Sequence, residues 1–61
     1  MSEADRRVVE SLRRSADAHD QAAALFERLQ RPCRAAQHRA DAAEARARAR
    51  RLEARTSQQD P

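Results

Sequence analysis

The sequence predicts an all-α fold, a two-helix antiparallel hairpin of coiled-coil type. Three observations carry this prediction. The 61 residues include no glycine and are dominated by alanine and arginine, both among the strongest helix formers. Apolar residues recur at helical spacing in two stripes whose phases do not match. Between the stripes stands the only internal proline, Pro32. No segment reads as a strand: Phe26 is the sole aromatic residue, and Val8, Val9 and Thr56 are the only β-branched ones. The alternation ARARAR over 45–50 has a strand's period of two, but neither residue favours strands, so helix propensity overrides it.

The first helix is predicted over residues 3–30. Ser2 stands three residues before Asp5, a capping-box spacing with Asp in place of Glu or Gln, and Glu3 and Asp5 suit the positive end of the helix dipole. Val9, Leu12, Ala16, His19, Ala23 and Phe26 follow in steps of three and four, with Val8, Ala22 and Leu29 alongside. Glu3 with Arg7, Glu10 with Arg14 and Glu27 with Arg31 are spaced for ion pairs along the helix surface.

A turn is predicted at 30–32, because Pro32 lacks a backbone donor and disfavours helix at Arg31, yet suits the first turn of a new helix. Continuing the first heptad through the proline would place Gln37, Glu44 and Arg51 at core positions. The second helix, predicted over 33–55, instead restarts its stripe at Ala35, His38, Ala42, Ala45, Ala49 and Leu52. A further alanine face lies at Ala36, Ala40, Ala43, Ala47 and Ala54. Folding back at the turn pairs residues whose numbers sum to about 62, so the large residues of one helix meet alanines of the other and the axes can approach closely. The hairpin then occupies residues 1–55, and the polar segment 56–61 is expected to be a disordered tail.

The stretch from His19 to Ala47 resembles a single tetratricopeptide helix pair. Ala23 matches the small residue of that family's first helix, Phe26 its aromatic residue, and Ala35 and Ala42 the small residues of its second helix. The resemblance implies a helix pair that binds other helices or peptides.

Function is bounded mainly by exclusion. The longest apolar run is AAALF, too short for a membrane span or the core of a signal peptide. One cysteine permits no internal disulfide, and the expected location is the cytoplasm. No metal site or other cofactor is expected. Cys33 and His38 stand about 140° apart round a helix, and His19 is placed level with Ala43, a good turn from His38. No glycine loop is available for phosphate, and no nucleophile, base and orienting acid come together, so an enzyme with a small-molecule substrate is not expected. Two helices should also offer no concave pocket of ordinary ligand size.

Two readings remain. A chain this short, whose large apolar side chains in the patterned region are Val8, Val9, Leu12, Leu25, Phe26, Leu29 and Leu52, has too small a core to stand comfortably alone. Those seven residues are the candidate interface of a small, non-catalytic protein–protein interaction module, completed as a homodimer or on a helical partner. The alternative is a regulatory protein that binds nucleic acid. The segment 46–55 carries Arg46, Arg48, Arg50, Arg51 and Arg55 against one glutamate, and the seven arginines after Pro32 face four acids, whereas six arginines balance six acids up to Arg31. The five arginines are spread round the helix and no aromatic residues interleave for base stacking, which favours the first reading.

Overall fold

The structure, a computed structural model, describes residues 1–59. They form two helices, α1 (Glu3–Arg28) and α2 (Pro32–Gln59), packed against each other as a hairpin 50 Å long and 16 Å by 9 Å across. The all-α hairpin is therefore the fold. The start of α1 follows the expected cap: the Ser2 hydroxyl accepts a hydrogen bond from the Asp5 amide at 3.0 Å.

The end of α1 is a Schellman turn. The Gln30 amide donates to the Glu27 carbonyl at 3.0 Å, and the Arg31 amide donates to that of Phe26 at 2.8 Å. This geometry requires a left-handed residue at position 30, where Gln30 adopts φ 57° without the freedom of a glycine. Pro32 opens α2 at a position whose missing amide costs no helical hydrogen bond, and the Ala35 amide makes the first such bond, to the Arg31 carbonyl at 3.1 Å.

The seam between the helices is built almost wholly of methyl groups. Its buried residues are Val9, Ala16 and Ala23 on α1, and Ala35, Ala42, Ala45, Ala49 and Thr56 on α2. Both sets contain a strict step of seven: 9, 16, 23 on α1 and 35, 42, 49, 56 on α2. Taking these as heptad position a, position d holds Leu12, His19 and Phe26 on α1, and His38, Ala45 and Leu52 on α2. Small side chains at every a position let each helix lie against the other's backbone, which leaves Ala16 and Ala49 with no exposed surface. Leu12 packs over Ala16, Ala42 and Ala45.

Three sequence expectations need correction. The polar tail expected from residue 56 does not begin there: α2 continues to Gln59. Thr56 falls one heptad beyond Ala49, is buried, and donates its hydroxyl to the Glu53 carbonyl at 2.9 Å, so it extends the seam instead of leaving it. The part of the predicted tail at residues 60–61 lies outside the described residues. The Glu10–Arg14 and Glu27–Arg31 pairs do not form among the described residues; Glu3–Arg7 does, at 3.5 Å, and Glu27 reaches across to Arg39 instead. The chain also has concavity of ligand size, a groove of about 540 Å³ between the free ends of the helices, although it is open and unenclosed.

Candidate functional site

The two flanks of the seam differ in kind. In an antiparallel pair, e positions of one helix face e positions of the other, and g positions face g positions. The e flank is ionic throughout. Arg13 pairs with Glu53, Asp20 with Arg46 at 2.7 Å, and Glu27 with Arg39. Each step of seven forward in α1 is matched by seven back in α2, so the three pairs share one register. Asp17 adds a second contact to Arg46 at 3.0 Å. Hydrogen bonds to Asp20 and Asp17 raise the Arg46 pKa above its ordinary value. These side chains are substantially exposed, so each pair contributes little stability alone; together they specify alignment.

The g flank has no such closure. On α1 it carries Val8, Ser15, Ala22 and Leu29, and on α2 Arg34, Asp41, Arg48 and Arg55. No ion pair crosses it among the described residues. Val8 is 49% exposed, Leu29 57%, and Leu25 on the neighbouring surface 52%, which is far more than a core residue leaves in water. At the free end of the hairpin, Val8, Leu12 and Leu52 form the apolar floor of the 540 Å³ groove, and Arg48, Arg51 and Arg55 form its basic rim.

The interface residues expected from sequence thus divide. Val8, Leu25 and Leu29 stand outside; Leu12, Phe26 and Leu52 are half-buried and present one side; Val9 is buried in the hairpin's own seam and presents nothing. The expected arginine cluster divides too. Arg46 is held by two aspartates and Arg51 by Glu44 on its own helix, while Arg48 and Arg55 line the groove with Arg51. Arg50 is exposed and takes part in neither arrangement among the described residues.

Compared with protein-family models, curated proteins and solved structures, this chain matches none. Among the described residues, no helix is long and apolar enough to cross a membrane.

A second constellation was missed in the sequence. His38 lies between two rings of α1: its centroid is 5.1 Å from that of His19 and 5.4 Å from that of Phe26, nearly parallel to the latter at 9°. Arg34 covers Phe26, its guanidinium carbon 5.7 Å from the ring centroid, within cation–π range. The two histidines meet Nδ1 to Nδ1 at 2.8 Å, and Asp41 stands beside them. The expected separation of the two histidines by a turn does not hold for their side chains, which reach toward each other and meet. The available signal was that, between Val9 and Leu52, the two histidines are the only polar residues at seam positions.

Proposed function

We propose that this protein is a small, non-catalytic interaction module whose open g flank receives an amphipathic helix with acidic residues beside its apolar stripe. The observation that carries this reading is the groove in which Val8, Leu12 and Leu52 are bordered by Arg48, Arg51 and Arg55. An apolar floor gains from burial, at about 25 cal/mol per Å² removed from water, and a basic rim selects the sign of the partner's flanking charges. Charge complementarity favours such a partner over a second copy, because the turn end of the hairpin is also basic, with Arg28, Arg31 and Arg34. It also favours a helix over nucleic acid, since phosphates gain nothing from the floor and Arg46 is already held by Asp17 and Asp20.

The test uses a synthetic helical peptide with leucines at i, i+4 and i+7 flanked by glutamates, and its lysine-flanked counterpart. The methyl resonances of Val8, Leu12 and Leu52 should shift with the first peptide alone, and Val8→Asp should abolish the effect. Equal response to both peptides, or to neither, overturns the reading. A doubled mass by light scattering that Val8→Asp reduces to that of a monomer makes a second copy the occupant instead. Duplex DNA that binds with steep salt dependence through Arg48 and Arg55 decides for nucleic acid.

A further inference from the structure

We propose that His19, His38 and Asp41 form a binding site for one divalent transition-metal ion, which fastens α1 to α2. One ligand atom from each of the three side chains lies within 4.8 Å of the other two. The donors come from both helices: His19 from α1, and His38 with Asp41 from α2, where a separation of three residues puts them on one helix face. Two imidazoles with one carboxylate suit zinc and its neighbours in the first transition row, whereas magnesium and calcium prefer all-oxygen sites.

The geometry is close to what coordination needs. With metal–ligand bonds of about 2.0–2.1 Å, neighbouring donors of a tetrahedron stand about 3.3 Å apart. The histidine nitrogens, at 2.8 Å, have to open slightly, and the exposed Asp41 carboxylate has only to close in. Water completes the fourth position, as in zinc sites with three protein ligands.

Without the ion, the 2.8 Å contact between two Nδ1 atoms requires a proton between them, with one ring donating and the other accepting. The ion takes that proton's place. The accepting ring already presents a lone pair at Nδ1. The donating ring has to bind as its other tautomer, with the proton moved to Nε2, so two neutral imidazoles bind the ion with no net proton released. The stack of Phe26 on His38 holds the second ring in position before the ion arrives.

Placement in the seam also gives the site its consequence. Methyl groups fill nearly all of the remaining seam, and an ion that binds the folded chain alone multiplies the folded-to-unfolded ratio by one plus the ratio of free ion to Kd.

The experiment is a zinc chloride titration of the full chain carrying Cys33→Ser, which removes an exposed competing sulfur ligand, followed by calorimetry and by circular dichroism melts. One ion per chain is expected, and zinc at a hundred times Kd should raise the folded-to-unfolded ratio about 100-fold. His19→Gln and His38→Gln should each abolish that gain. Asp41→Asn alters an exposed residue, so the chain still folds, and it should weaken binding at least about tenfold, given that losing even an outer partner of a metal ligand costs 10–100-fold. Cobalt(II) should give the visible absorption of a four-coordinate nitrogen and oxygen site. The proposal is overturned if millimolar zinc leaves the melt unchanged, if His19→Gln binds as tightly as its parent, or if the stoichiometry is one ion per two chains.

Discussion

Replacing Gln30 by glycine should stabilise the hairpin. Gln30 sits at φ 57° because the two Schellman hydrogen bonds, from the amides of Gln30 and Arg31, can form only if the chain turns left-handed there. A residue with a Cβ pays roughly 1–2 kcal/mol for that conformation, and glycine does not. Glycine's greater freedom in the unfolded chain offsets about 0.4–1 kcal/mol. The net gain is about 0.5–1 kcal/mol, and at about 4–8 °C per kcal/mol for a domain of this size the melting temperature should rise by roughly 2–8 °C. Circular dichroism melts at fixed protein concentration measure this, with Gln30→Ala as the control that keeps the penalty and should melt no higher than the parent. If Gln30→Gly melts at or below the parent temperature, left-handed strain at the turn is not a significant cost and the reasoning fails.

Three further perturbations probe the seam and its flanks. Ala42→Leu adds apolar surface yet should destabilise by about 1–3 kcal/mol, because Ala42 is 1% exposed against the opposite helix and the larger side chain has to push the axes apart; a higher melting temperature would show that the seam is not close-packed. Arg46→Glu puts a third negative charge beside Asp17 and Asp20, so melting should fall at low salt and recover toward the parent value as salt screens the repulsion; an effect independent of salt refutes the ionic account. Phe26→Ala should cost about 2 kcal/mol, less than the 3–5 of a fully buried ring, because Phe26 is only half-buried over His38. If that variant keeps the parent's denaturation midpoint in urea, the ring is not part of the fold's support.

The hairpin was legible because two independent signals coincide at one place: a proline that ends one helix and suits the start of another, and a stripe that restarts in a new phase at Ala35. The alanine seam was legible for the same reason, since Ala16, Ala23, Ala35, Ala42 and Ala49 all fall on those stripes. The histidine contact was not. Pairing residues by a constant sum locates backbone levels, whereas His38 inserts between His19 and Phe26, and such interdigitation depends on side-chain length and rotamer. The last turns of α2 were missed because TSQQ shows no apolar periodicity; only the position of Thr56, one heptad beyond Ala49, marked the continuation. The ion pairs were half legible. Spacing along one helix identified Glu3–Arg7, but the e-flank pairs depend on a register that only the packed hairpin supplies.

The composition of the seam explains why the flank is open. A two-helix chain can place its larger apolar residues between its helices and hold them apart, or place alanines there and bring them together. This chain does the second, so of its larger apolar residues only Val9 is buried in the seam, Leu12, Phe26 and Leu52 are half-buried at d positions, and the rest lie outside. Val8, Leu25 and Leu29 consequently remain about half exposed, while the ion pairs between the helices are gathered on the opposite, e flank. Close approach in the seam and apolar surface on the g flank are therefore two effects of one choice of residues. Substituting alanine for Leu25 or Leu29 removes surface that the hairpin does not use internally, and so should affect association far more than folding.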